Sequence, residues 1–153
     1  MPTTIEITTV PWDDPDAVRL RTAQRVELDA RYGTDDHEPG ALPTADTVAV
    51  FLVARDADGT AVGCGGLRPL GPGSGEVKRM YVEPAVRGAG VATALLRALE
   101  DEARGLGITR LLLETGTGQP DAIRFYQREG YEPIEAYGPY VGEPLSRCFA
   151  RDL

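Results

Sequence analysis

Apolar positions change their spacing along this chain, and the changes mark its elements. Ile5 and Ile7 alternate with polar neighbours, which predicts a short first strand. Asp14-Pro15 predicts a helix start, with the carboxylate as N-cap and the proline in the first turn. Helical sequence then runs, as one segment or two, through Val18, Val26 and Leu28 to a stop at Gly33. Thr34 to Thr44, with Asp35, Asp36, His37, Glu38 and two prolines, reads as a loop. The apolar run Val48 to Val53 predicts a buried strand, Asp56 to Gly59 a hairpin turn, and Ala61 to Leu67 the returning strand. A glycine-rich turn over Pro69 to Gly75 leads to a further strand over Glu76 to Glu83. Val91, Leu95 and Leu99 share one face of a helix over Val91 to Arg104, stopped by Gly105. Arg110 to Thr115 reads as a strand and Pro120 to Glu129 as a helix capped by Gly130. Tyr131 to Ile134 and Leu145 to Arg151 read as two last strands around the loop Tyr137 to Tyr140. The order predicts a mixed α/β sheet: an antiparallel meander, then strand–helix–strand crossovers.

At 153 residues the chain is expected to form a single domain, residues 1–153, without a disulfide or metal staple. Met1 to Val10 lacks the basic start and apolar core of a signal peptide, and no apolar run is long enough to cross a bilayer. Cys64, Cys148 and a single histidine lack metal-ligand spacing, so no metal site is expected. The cysteines read as buried apolar fillers in a reduced, cytoplasmic setting. Net charge is −8, of which −7 falls in residues 1–60. That field repels phosphate backbones, so nucleic acid is not an expected partner, and neither is a membrane.

The most informative stretch runs from Glu76 through Arg87-Gly88-Ala89-Gly90 to Ala92. A strand stops at Pro84, and a glycine-flanked turn opens the next helix. A helix N-terminus offers about four backbone N–H groups without internal partners, and its dipole favours anions. Gly88 and Gly90 lack a Cβ that would hold a phosphate away, and Arg87 adds a forked cation. The turn therefore reads as a pyrophosphate seat or as a plain tight turn. A Rossmann fingerprint competes, with Glu114 as the ribose carboxylate, but Thr93 occupies its third glycine position. In the strand before it, apolar alternation fails between Val77 and Met80. A β-bulge would explain this and would free backbone groups for an extended ligand.

With those residues in view, the chain resembles the GNAT superfamily of acyl-CoA-dependent N-acyltransferases. Arg87, Gly90 and Ala92 match the family's Gln/Arg-x-x-Gly-x-Gly/Ala motif, and Glu76 to Val82 its fourth strand. Gln119, Ala122, Phe125 and Tyr126 match a later family helix, with Gln119 replacing the usual asparagine. The resemblance implies a mostly antiparallel central sheet of about six or seven strands flanked by about four helices. It also implies acetyl-CoA as acyl donor and transfer to a primary amine of a small molecule or protein by direct attack in a ternary complex. Family members often dimerise. Backbone groups of Met80, Tyr81 and Val82 would pair with the pantetheine, and the backbone from Arg87 through Gly88, Ala89, Gly90 and Val91 to Ala92 would hold the pyrophosphate. Gln119 and Tyr126 would also lie along the cofactor.

Three chemical tasks follow for the side chains. An alkyl ammonium, with pKa about 10, must lose a proton to attack a thioester. Glu76 is the first candidate base and Glu114 the reserve. A bulge N–H, placed at Met80, would meet the developing oxyanion. The leaving thiolate needs a proton, which the Tyr126 phenol can give. Asp35, Asp36 and Glu38 would attract a cationic amine or merely form a solvated loop. Tyr137 and Tyr140 would cap the acceptor site or pack their proline loop, and His37 reads as a surface residue. Two other readings stand beside the enzyme: a non-catalytic acyl-CoA-binding sensor module, and a small NAD-type dinucleotide-binding domain.

Overall fold

The computed structural model describes residues 4–153, so the reading of Met1 to Thr3 lies outside the described residues. The strands are β1 (Glu6–Thr9), β2 (Val50–Arg55), β3 (Ala61–Gly71), β4 (Ser74–Val82), β5 (Arg110–Gly116), β6 (Glu132–Ile134) and β7 (Ser146–Asp152). The helices are α1 (Pro15–Tyr32), α2 (Val91–Gly105) and α3 (Pro120–Arg128). One seven-stranded sheet has the order β1-β2-β3-β4-β5-β7-β6. Every neighbouring pair is antiparallel except β4 and β5. The meander and the crossovers are therefore as predicted.

Three expectations need correction. Residues 15–32 form one continuous helix, so there are three α-helices instead of four. Asp14 caps α1 through hydrogen bonds of 3.0 and 3.1 Å from the amides of Asp16 and Ala17, and Gly33 ends it at φ 70°. Nothing between these two caps breaks the helix. The β3–β4 hairpin is tighter than the predicted turn, because β3 extends to Gly71 and β4 begins at Ser74. Lastly, α2 continues through Gly105, and the left-handed residue that follows is Gly107, φ 78°.

Helices cover both sheet faces. Leu95, Leu96, Leu99 and Ala103 of α2 are fully buried against the sheet with Leu67, Leu111 and Leu113. Each such leucine contributes roughly 1.5–3 kcal/mol of burial free energy. Ala17 and Leu20 of α1 pack the opposite face with Phe51, Val53, Cys64 and Tyr81. Gly65 explains the close approach of α2 to β3. A Cβ there would stand 3.1 Å from both Leu99 Cδ1 and Met80 Sδ. Glu100 of α2 is also buried, at 1% exposure, and accepts hydrogen bonds from Arg97, Arg151 and Tyr131. Burial alone would raise its pKa, but those hydrogen bonds outweigh it and hold the carboxyl below its usual range. This buried hub ties α2 to β7 and to the start of β6.

The parallel seam positions the site. β4 and β5 pair over only three residues, Ser74 to Glu76 against Arg110 to Leu112. Beyond Glu76 the two strands are no longer paired with each other, while β5 stays paired with β7 as far as Gly116. The sheet is thus split into a wedge along its middle.

Candidate active site

The bulge lies where the alternation failed. Between Cys64↔Tyr81 and Gly66↔Lys78 the β3–β4 register shifts, with two residues on β4 facing one on β3. Arg79, the extra residue, has φ 58°, the one positive value among described non-glycine residues. The bulge brings Lys78, Arg79 and Met80 together into the lining of one cleft, which a regular strand would not do.

Below the bulge the ladder is regular, and it sorts the backbone groups. The amide of Glu83 donates to Val62 O at 2.8 Å, so in this register Tyr81 also faces β3, opposite Cys64. Met80 and Val82 face the other way. Their carbonyls accept from Gln24 Nε2 at 2.9 Å and Arg87 Nε at 2.8 Å, respectively. The expectation for Tyr81 is therefore corrected: its backbone is committed to β3, and only Met80 and Val82 present groups to the wedge.

The helix-opening turn follows. Gly88 and Gly90 have φ of 84° and 86°, so they are required for backbone conformation, and the space around them is open. None of the amides from Ala89 to Ala92 has a hydrogen-bond partner among the described residues. A row of free N–H groups at a helix start fits a pyrophosphate. The Arg87 guanidinium is held elsewhere, by Val82 O and by Glu27 at 2.8 Å. Its position locks the turn to β4 and α1, instead of offering the charge to a phosphate as the sequence suggested.

The cleft has a volume of about 430 Å³ and runs between β4 and β5 under α1 and α3. Glu114 and Tyr126 both line it. Ser146 donates to Glu114 Oε2 at 2.7 Å, while Oε1 has no partner among the described residues. Burial raises the Glu114 pKa, only partly offset by Ser146 and Lys78. Tyr126 is 8% exposed, and burial alone raises its phenol, so the proton stays on at neutral pH. Gln119 lines the cleft too, with Nε2 at 3.4 Å from the Tyr32 hydroxyl.

Glu76 has a different setting from the one expected. It is 1% exposed, with Oε1 held by Arg68 at 3.0 and 2.6 Å and Oε2 by the Tyr137 and Tyr140 hydroxyls at 2.6 and 2.9 Å. It does not line the cleft, and four donors already satisfy its oxygens. That arrangement corrects its placement as the general base. Tyr137 and Tyr140 are corrected with it: they close over this carboxylate and do not line the cleft.

The acidic loop divides similarly. Asp36 lines the cleft, but Asp35 does not, and both are exposed. Glu38 is engaged by Arg79 at 2.7 Å, Lys78 at 3.3 Å and Arg25 at 3.6 Å. His37 is no surface residue. Its side chain is 6% exposed, hydrogen-bonded to Asp29 at 2.7 Å and stacked on Tyr32. Both thiols are buried and burial raises both, Cys64 to about 12, so neither is a ready nucleophile. Sequence reasoning missed Gln24, Lys78 and Arg79 as cleft residues. The parity break at Val77–Met80 was the available signal, since the residues spanning a bulge change the face they address.

Among the described residues, no group of three His, Cys, Asp or Glu side chains is placed to hold a metal ion, and no helix is long and apolar enough to cross a membrane. The topology is also not that of a Rossmann domain, whose sheet is mostly parallel. Comparisons with known proteins agree with the geometry. A sequence model described as "Acetyltransferase (GNAT) family" matches residues 10–131. An IAA acetyltransferase of Azospirillum brasilense is 47% identical over 104 residues, covering 67% of this chain and 67% of that one. An amino-acid acetyltransferase of Mycobacterium tuberculosis is 34% identical over 100 residues, 64% of this chain and 55% of the relative. A crystal structure from Klebsiella pneumoniae, described as an acyl-CoA N-acyltransferase, superposes with a TM-score of 0.82 at 38% identity, over 98% of each chain. The chain belongs to the GNAT acetyltransferase family and is an enzyme that transfers an acetyl group from acetyl-CoA to an amine.

Proposed function

We propose that the chain is one catalytic domain, working in the cytoplasm, that acetylates a small-molecule amine by direct attack in a ternary complex. The observation that carries this reading is the wedge itself. It runs past Met80 to Glu114 and Tyr126, along a strand that continues through Val82 toward the free-amide helix start. A cleft of about 430 Å³ suits a pantetheine arm and a small acceptor. The Mycobacterium relative, named for amino-acid acceptors, supports a small acceptor as well.

Each residue then has a task. Amides from Ala89 to Ala92 take the pyrophosphate. Met80 and Val82 offer strand-like hydrogen bonds to the arm, and Gln24, itself part of the cleft lining, steadies the Met80 carbonyl. The Met80 N–H meets the thioester oxygen, where one such donor is worth about 2.7–4 kcal/mol in the transition state. Glu114 is the base, taking a proton from the acceptor ammonium through its free Oε1. Tyr126 gives its proton to the departing thiolate. Glu114's raised pKa narrows the gap to the ammonium it must deprotonate.

Thiol release followed across a library of amines tests this reading. Acceptor-dependent release of CoA is expected. Tight acetyl-CoA binding with no release for any amine would instead favour a sensor module.

A further inference from the structure

Lys78 and Arg79 are only 9% and 13% exposed, and between them they hold a single carboxylate, Glu38, which a third cation, Arg25, also approaches. Arg25 has a further carboxylate, Asp29 at 3.3 Å, but Lys78 and Arg79 have no other ion pair among the described residues. Lys78 is otherwise in contact with the Tyr140 hydroxyl at 3.4 Å. Burying charge without full compensation is costly. Two buried cations sharing one acid therefore leave room for a second anion.

Their position says which anion. On β4 the order runs from the phosphate turn through Val82 and Met80 to Arg79 and Lys78, so these cations lie beyond the point where the thioester meets Met80. That is the acceptor's half of the cleft, not the cofactor's. On the opposite wall, β5 presents Glu114. The cleft thus has positive charge on its β4 side and a carboxylate on its β5 side. A molecule carrying both an ammonium and an oxyanion matches this separation, with the amine at Glu114 and the acid at β4.

We infer that Lys78 and Arg79 form an oxyanion-recognition site that selects acceptors bearing a carboxylate or phosphonate near the amine, and that Glu38 holds these cations in place and competes with the acceptor for them. This inference rests on the acetyltransferase reading above and adds the acceptor's chemical class. The bulge is what makes the site possible, because the positive φ of Arg79 turns its side chain into the cleft beside that of Lys78.

The test pairs α-amino acids and aminoalkylphosphonates with matched amines that lack the acid group, using the purified chain and acetyl-CoA. The acid-bearing member of each pair should have the higher kcat/KM, by about tenfold to a hundredfold, as expected for hydrogen bonds to charged groups. The carboxylate and phosphonate arms show which oxyanion the site prefers. Lys78→Met, which keeps the buried stem, should raise KM for the acid-bearing acceptor and leave acetyl-CoA affinity within about twofold. Glu38→Gln removes the competing carboxylate and should lower that KM. For the acid-free amines both variants should leave KM little changed, while kcat follows the charge each removes near Glu114. Equal turnover of paired acceptors, or a raised KM in Glu38→Gln, would overturn this inference while leaving the acetyltransferase reading intact. Failure of every amine to release CoA from bound acetyl-CoA would overturn both.

Discussion

The two ends of the β4–β5 seam are built from the same strands and behave in opposite ways. At the closed end, three residues of each strand pair, and the buried acid there, Glu76, is saturated by Arg68, Tyr137 and Tyr140. At the open end the strands part, Met80 lines a cleft, the carbonyls of Met80 and Val82 accept from Gln24 and Arg87, and the acid there, Glu114, has one oxygen free. Both acids lie on strands flanking the same cleft. What separates a structural carboxylate from a chemical one is how many of its lone pairs the fold has already used. A saturated acid supports the shape of the site, and an unsaturated one can accept a proton.

The largest expected difference between the ends is catalytic. Glu114→Gln should lower kcat by about 10²–10⁴-fold, the range for a lost general base, with acetyl-CoA affinity little changed. In the parent enzyme the acid limb of the pH–rate profile should lie above the ordinary carboxylate range, because the burial-raised carboxyl must first lose its proton. The sign for stability is opposite. A raised folded pKa favours the folded state at low pH and loses that contribution as pH rises through it. Glu114→Gln should therefore melt slightly higher than the parent at pH 7, keeping an acceptor for Ser146.

At the closed end the effect should be on stability. Glu76→Ala strands Arg68 and two tyrosine hydroxyls, and breaking a buried pair in this way costs about 3–5 kcal/mol. Chemical denaturation should show that loss. A folded variant with normal stability and kcat reduced a hundredfold would reverse the roles assigned to Glu76 and Glu114. A smaller catalytic effect is expected from Tyr126→Phe, about 10²-fold in kcat at the low end of acid–base contributions, with thiol release as the readout. Smallest is Gly90→Val, which places a β-branched residue at φ 86°. The strain of about 1–3 kcal/mol should appear as lost stability in chemical denaturation, and relaxation of the turn as weaker acetyl-CoA binding by calorimetry.

Much of the open end was legible in the sequence. The failed alternation between Val77 and Met80 located the bulge, and Arg87 to Gly90 located the helix start, because both are local patterns read within a few residues. The closed end was not legible. Glu76 meets Arg68 only through the hairpin register that pairs them, and meets Tyr137 and Tyr140 from more than sixty positions away. Nothing near Glu76 in sequence shows that its oxygens are occupied. The burial of His37 is hidden for the same reason: its loop composition is polar, and its cover comes from Asp29 and Tyr32 on α1. The unbroken α1 was ambiguous because its apolar positions are sparse, while its two caps were clear.

Amide chemical shifts recorded during an acetyl-CoA titration test the open wedge most directly. The amides of Met80, Val82 and Ala89 to Ala92 should shift strongly and become protected from exchange. The Tyr81 amide, already paired with β3, should shift far less. Strong protection at Tyr81 with silence at its two neighbours and at the helix start would contradict the placement of acetyl-CoA between β4 and β5.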